Sequence, residues 1–201
     1  IRRQERENCY DLTPTHRPHV ISRDGAISVN ERIDAYGRII TPLTEKEISR
    51  VQKLALQSGA ETFAICFLFS FLNNVHESQI ARALRAAGLH VVVSSEESPE
   101  YREYERASTT ALNAFLQPTI RSYLDELSEK QPDLRIMHSA GGLTSAELAS
   151  ERPVSLVMSG PAGGVLGALK TAQASNLSKI ITFDMGGTST DIALGQQGRV
   201  L

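Results

Sequence analysis

Residues Ile180 to Leu194 read IITFDMGGTSTDIAL. An apolar strand runs into Asp184, two glycines follow at 186 and 187, then the hydroxyl residues Thr188, Ser189 and Thr190, then Asp191 and a second apolar strand. The pattern predicts a hairpin whose turn has no bulky side chain in its way. Glycine permits positive φ and lets backbone N–H groups come close to an oxyanion, so such a turn can cradle phosphate. The hydroxyls of Thr188 and Thr190 add donors. Two carboxylates beside a phosphate repel it unless a divalent cation lies between them, and Mg²⁺ is held in that way, through one or two carboxylates and water. A lone GGT is most simply a β-turn with solvated neighbours. The whole D-x-G-G-T-x-T-D between two apolar strands reads as a phosphate-binding hairpin.

Working back towards the N-terminus, Pro161 at a first-turn position opens a helix, PAGGVLGALKTAQA, rich in small residues. Before it, Leu134 to His138 reads as a short strand, and Thr144 with Glu147 as a capping box for a short helix. Tyr101 to about Lys130 has a helical pattern that Pro118 should end or kink near Gln117. Further upstream, Thr44 and Glu47 form a capping box, Ile48, Val51, Leu54 and Ala55 share a helical face, and Gly59 supplies the stop. Phe63 to Phe71 is short and apolar on both faces, as a strand of a parallel sheet is. A helix beginning at Asn74 follows, with Ile80, Ala83, Leu84 and Ala87 on its apolar face and Gly88 at its end; LHVVVS is the next strand. Strand, helix and strand make a right-handed crossover unit. Residues 17–42 carry two turn signals between β-prone pieces, which predicts a hairpin or meander. The polar, acidic SSEESPE up to Pro99 reads as a boundary between a segment 1–98 and a segment 99–201. The fold class expected is α/β, with mixed or parallel sheets and flanking helices.

Composition narrows the functional classes. Lys plus Arg number 21 against 23 Asp plus Glu, so no broad basic field attracts nucleic acid or anionic lipid. The longest apolar run, Ala64 to Leu72, is about half of what a membrane-spanning helix needs, and no signal-peptide pattern opens the chain; both point to a cytoplasmic protein. Cys9 and Cys66 are too far apart in sequence for a metal-ligand pair and read as structural.

Other candidate residues are weaker. His76, in NNVHE, has no ligand partner at helical spacing and reads as a capping and packing residue, with Glu77 a candidate cap at the third helical position. His138 ends a strand, where it can face a ligand crevice. Gly141 and Gly142 precede a capped helix whose exposed amides could bind an anion, but a plain strand-to-helix turn is the favoured reading. Glu96, Glu97, Glu100, Glu103 and Glu105, interleaved with Arg102 and Arg106, read as a solvated helix start.

In six ordered pieces the chain resembles the hydantoinase A and 5-oxoprolinase family, which includes N-methylhydantoinase and acetone carboxylase subunits. They are ERIDAYGRIITPL, ICFLFSFLNNVHE, SSEESPEYREYERASTTALNAFLQP, MHSAGGLTSAE, SGPAGGVLGA and TFDMGGTSTDIAL. The family pattern usually has Gln and Asn where this chain has His138 and Ala140, and Pro where Asn74 stands. The resemblance implies a place in the actin-like (ribonuclease H-like) ATPase superfamily, with DMGGTSTDIAL as the second phosphate loop and SGPAGGVLGALK as the helix that crosses between lobes. It also implies an internal piece of a longer polypeptide: residues 1–98 end an N-terminal family domain, and 99–201 begin the ATPase domain. The activity implied is ATP-dependent, with Mg²⁺: phosphorylation of a cyclic amide or carbonyl substrate (a hydantoin, 5-oxoproline or a ketone) for hydrolysis or carboxylation. Gly186, Gly187, Thr188, Ser189 and Thr190 would bind the β- and γ-phosphates, while Asp184 and Asp191 would be the catalytic, metal-ordering pair. A hydantoinase B-type subunit and an oligomeric assembly are implied as partners, and the isolated piece is expected to be inactive. A non-catalytic, ATP-responsive module is the alternative. The resemblance raises the interest of Tyr104, Glu105 and Arg106 without giving them a role.

Overall fold

The computed structural model describes residues 10, 12, 21, 22 and 24–201. The reading of Cys9 and the start of the 17–42 segment lie outside them. Contacts divide the chain into two units, residues 1–118 and 119–201.

The first unit opens with an antiparallel hairpin, β1 (Arg32–Ile33) and β2 (Ile39–Thr41). Asp34 shapes its turn: one carboxylate oxygen accepts the N–H groups of Tyr36 and Arg38, each at 2.9 Å, and Gly37 takes the left-handed conformation at φ 77°. Helix α1 (Glu45–Ser58) starts where the Thr44 Oγ1 accepts the Glu47 N–H at 3.3 Å and stops at Gly59, φ 69°, as expected from sequence. The reciprocal half of the capping box is not made. Glu47 instead accepts the Asn30 N–H at 2.8 Å and pairs with Arg50, and these two partners, Arg50 first, hold its carboxyl at about 2.

Strand β3 (Thr62–Ile65) pairs in parallel with β4 (His90–Val93), in register from Thr62 opposite His90 to Ile65 opposite Val93, and α2 (Val75–Ala86) is the crossover between them. The expected strand over Phe63 to Phe71 is cut short. The chain leaves the sheet after Ile65, turning through Phe69 at φ 58°, because β3 and its partner are only four residues long and the rest of the apolar run packs as a loop. Val51, Ala55, Ile65, Ile80, Ala81, Leu84 and Val93 form the core between the helices and this parallel pair. Leu54, placed on the apolar face of α1 from sequence, is 38% exposed. The SSEESPE stretch is folded as a short helix, α3 (Ser94–Glu97), and Ser94 is fully buried.

Helix α4 (Glu103–Lys130) runs through Pro118 without ending. Proline removes one hydrogen bond, and the helix continues past it, with Asn113 and Ala114 buried before it and Leu124 buried after it. In the second unit β5 (Arg135–Met137) and β6 (Leu143–Ser145) form an antiparallel hairpin, followed by α5 (Ala146–Glu151) and a 3₁₀ turn, Pro153–Leu156. The cap of α5 is Ser145, whose Oγ accepts the Leu148 N–H at 3.3 Å; Thr144, the residue expected to cap it, lies in β6. Helix α6 (Ser159–Ala174) then packs on an antiparallel sheet of β7 (Lys179–Met185), β8 (Thr190–Gln196) and β9 (Arg199–Val200). The structure is therefore mixed α/β, with one parallel pair and antiparallel sheets flanked by helices. No helix among the described residues is long and apolar enough to cross a membrane.

Contact between α6 and the sheet depends on Gly195, the buried residue of β8. A Cβ at this position would lie 2.6 Å from Leu169 Cδ2 and 2.9 Å from Ile180 Cγ1. Gly195→Val should therefore destabilise the protein by roughly 1–3 kcal/mol through overpacking, read as a lowered urea midpoint. Gly187→Ala, with nothing within 4 Å of its Cβ, should leave the midpoint unchanged.

Candidate functional site

Strands β7 and β8 pair so that Asp184 lies opposite Asp191 and Met185 opposite Thr190. Alternation then sorts their side chains. Ile181, Phe183, Met185, Ile192 and Leu194 point away from α6 and are exposed, whereas Ile180, Thr182, Asp191 and Ala193 are half-buried on the α6 side. Asp184, exposed at the end of the strand, shares this inner face: a Cβ on Gly164 of α6 would sit 4.0 Å from its Oδ2. A groove of about 850 Å³ runs between α6 and the hairpin, lined along the helix by Pro161, Gly164, Val165 and Ala168 and ending at the two aspartates.

The turn carries Gly186, Gly187, Thr188 and Ser189. Neither glycine lies in the left-handed region, and a Cβ would meet only the Ser189 carbonyl at 3.6 Å from Gly186 and nothing within 4 Å at Gly187, so the fold of the turn itself does not require glycine at either position. The Gly186 N–H donates to the Ser189 carbonyl at 2.9 Å and closes the turn. An anion nest here would draw on the amides of Gly187, Thr188 and Ser189, with the Thr188 and Thr190 hydroxyls beside them. Like charges directly opposite on neighbouring strands repel. A divalent cation relieves that cost, and its preference for a carboxylate or two plus water matches the donor set of Asp184 and Asp191. No larger cluster of metal-binding side chains occurs among the described residues.

The remaining candidates lie elsewhere. His138 belongs to the β5–β6 turn. Its N–H donates to the Gly142 carbonyl at 3.0 Å, its Nδ1 accepts the Ala140 N–H at 3.2 Å, and its ring lies directly over Gly142, where a Cβ would collide with Nε2. Gly141 and Gly142 thus build a β-hairpin, with Gly141 at φ 84°, and not a strand-to-helix turn; Leu143 to Ser145 intervene before α5. His76 is buried: Nδ1 lies 2.7 Å from Glu31 Oε2, and Nε2 accepts the Leu43 N–H at 3.4 Å. Burial pushes the Cys66 thiol up, away from the reactive thiolate form.

Sequence reasoning missed a buried polar network in the first unit. Glu77 is not a helix cap. Its Oε1 accepts the Phe67 N–H at 2.8 Å and the Ser94 hydroxyl at 2.7 Å, and its Oε2 accepts the Ser95 N–H at 3.0 Å. Arg106 of α4, 2% exposed, donates from Nε to Ser94 Oγ at 3.1 Å, from Nη1 to the Glu100 carbonyl at 2.8 Å and from Nη2 to the Phe67 carbonyl at 2.6 Å. The start of α4 is therefore not a solvated charged surface at Arg106. Thr110 and Asn113, four and seven residues on, are buried on the same face. That i, i+4, i+7 spacing was the available signal, but all three residues are polar and the apolar pattern that marks a core face was lacking.

Two family models match the chain, one described as hydantoinase/oxoprolinase over residues 106–201 and one as the hydantoinase/oxoprolinase N-terminal region over residues 1–88. It belongs to the hydantoinase/oxoprolinase family. Among relatives, this family member is 35% identical to caprolactamase subunit alpha of Pseudomonas jessenii over 94% of its own length and 28% of the relative's. It is also 35% identical to the 5-oxoprolinase of Saccharomyces cerevisiae, over 81% of its length and 13% of that protein. Two solved structures superpose on 92% of the chain, using 28% of theirs: the ATP-dependent caprolactamase from Pseudomonas jessenii, with TM-score 0.81 and 33% identity, and nucleotide-free acetone carboxylase, with TM-score 0.78 and 27% identity. The hydantoinase/oxoprolinase chain described here thus spans under a third of the length of these proteins.

Proposed function

We propose that the intact protein uses MgATP to phosphorylate an oxygen of a cyclic amide or carbonyl compound, and that this chain supplies one phosphate-binding hairpin of the site. The observation that carries the reading is the pairing of Asp184 with Asp191 on the α6 side of a hairpin whose turn is two glycines and three hydroxyl residues. The ATP-dependent caprolactamase and the acetone carboxylase of ATP-dependent acetone carboxylation share the fold of this chain and support ATP use. We assign the hairpin to the second phosphate loop of an actin-like ATPase, and ATP use to a cytoplasmic enzyme.

In this reading the amides of Gly187, Thr188 and Ser189 and the hydroxyls of Thr188 and Thr190 hold the β- and γ-phosphates. Asp184 and Asp191 hold Mg²⁺ directly or through its water, and the ion supplies charge neutralisation on the phosphates. Transfer of the γ-phosphoryl group is achieved mainly by such positioning and neutralisation. The acceptor is an amide or ketone-derived enolate oxygen, which becomes a leaving group for ring opening or is activated for carboxylation. Several relatives are named as subunits, which supports assembly with a second chain of hydantoinase B type.

ADP release from the intact protein, measured with hydantoin, 5-oxoproline, caprolactam and acetone in turn, tests this function. At least one is expected to raise the rate tenfold or more over substrate-free hydrolysis. A rate that stays the same with every compound would favour an ATP-responsive module over an enzyme.

A further inference from the structure

Helix α6 carries glycine at positions 160, 163, 164 and 167, and the last three lie in its interior. Glycine is the poorest helix former after proline, because it loses the most backbone freedom on folding. None of these three has positive φ, so the backbone conformation does not demand glycine. Their surroundings differ. A Cβ at 163 would touch the Met137 side chain of β5 at 3.7 Å, and one at 167 would meet nothing within 4 Å. A Cβ at 164 would meet one atom beyond its own helix backbone, Asp184 Oδ2 at 4.0 Å.

That atom belongs to the end of the groove where Asp184 and Asp191 lie opposite each other, and Gly164 lines this groove beside Val165 and Ala168. Mg²⁺ binds a carboxylate oxygen at about 2.0–2.1 Å and keeps several of its waters, so the hydrated ion extends roughly 4 Å from the oxygen that holds it. A methyl group 4.0 Å from Oδ2 stands at the rim of such a shell, and a longer side chain reaches into it. Glycine at 164 weakens the helix, relieves no clash in the fold, and leaves the α6 side of one carboxylate open.

We infer that Gly164 is a clearance residue, whose missing side chain keeps the α6 side of Asp184 open to a hydrated divalent cation and the phosphates it carries. The inference rests on the assignment of the β7–β8 hairpin to MgATP made above. Gly167, on the same helix and facing no such group, is its internal control.

Calorimetric titration of the intact protein with the Mg²⁺ complex of β,γ-imido-ATP, paired with urea unfolding in the absence of nucleotide, tests the assignment. Gly164→Ala should weaken binding about threefold and Gly164→Leu at least tenfold. The urea midpoint of Gly164→Ala should rise, since alanine is the better helix former and meets no clash at this position. Gly167→Ala should raise the midpoint in the same way and bind the nucleotide within twofold of wild type. Wild-type affinity in Gly164→Leu would overturn the clearance role and leave the assignment of the hairpin standing. A lowered midpoint in Gly164→Ala would place this glycine in packing and would equally refute the inference. Absence of binding by the wild-type protein would remove the hairpin's MgATP assignment and the clearance role with it.

Discussion

Replacing Asp184 or Asp191 by asparagine in the intact protein is expected to lower ATP turnover by about 10²–10³-fold, the usual cost of losing a charge-stabilising group at a reacting phosphate or oxyanion. Stability should move the other way. The two carboxylates face each other across the β7–β8 ladder. Neutralising one removes a like-charge cross-strand pair, for a gain of roughly 0.2–1 kcal/mol. A group kept for folding does not behave in this manner: its loss lowers activity and stability together. The measurement is therefore a pair, steady-state ADP release at saturating MgATP and a urea midpoint without nucleotide. Wild-type turnover in both variants would remove the aspartates from the site.

The second large effect concerns the Glu77–Ser94–Arg106 network. Arg106→Met should destabilise the protein by at least about 1–3 kcal/mol, because it removes a charged donor from three acceptors and leaves the Phe67 carbonyl and Ser94 hydroxyl of a buried network without it. The Ser94 hydroxyl stands between Glu77 and Arg106: it donates to the first and accepts from the second. Glu77→Gln keeps the shape but turns one acceptor oxygen into a donor that faces N–H groups, and it should cost roughly 1–3 kcal/mol. The double variant should lose less than the sum of the single losses by about 0.5–3 kcal/mol, since the partners share one set of bonds. Strictly additive losses in chemical unfolding would show that the two groups act independently. Arg106→Lys separates charge from geometry, because an ammonium cannot reproduce the fork that reaches Ser94, Glu100 and Phe67.

These two sites differ in how far the sequence revealed them. The β7–β8 hairpin was legible because turn chemistry is local: two glycines and a hydroxyl run between apolar strands form a turn, and the register that brings Asp184 opposite Asp191 follows from the turn length. The start and stop of α1 were legible for the same reason, as Thr44 and Gly59 act on backbone groups within a few residues. Expectations failed where a side chain found a distant partner. Glu47 bonds to Asn30 in place of its own helix end, and Glu77 leaves the cap position for Phe67, Ser94 and Ser95. The strand expected up to Phe71 stops after Ile65, since its length is set by β4, which lies 25 residues further along the chain. The HSAGG turn was misassigned because a glycine pair fits a hairpin and a strand-to-helix turn equally well; the following LTS decides by pairing with Arg135 to Met137.

By itself the sequence determined the α/β class, the family, the order of the main helices and strands, and the hairpin with its two aspartates. The class, the elements and the hairpin rest on periodicity, turn residues and spacing that act over a few positions, and the family on the resemblance of six ordered motifs. Tertiary structure decided which face of that hairpin meets α6, which charged residues are drawn into the interior, and that α4 continues through Pro118. Those outcomes depend on burial and hydrogen bonds between residues far apart in the chain, and the free energy of such contacts is not written in any one segment.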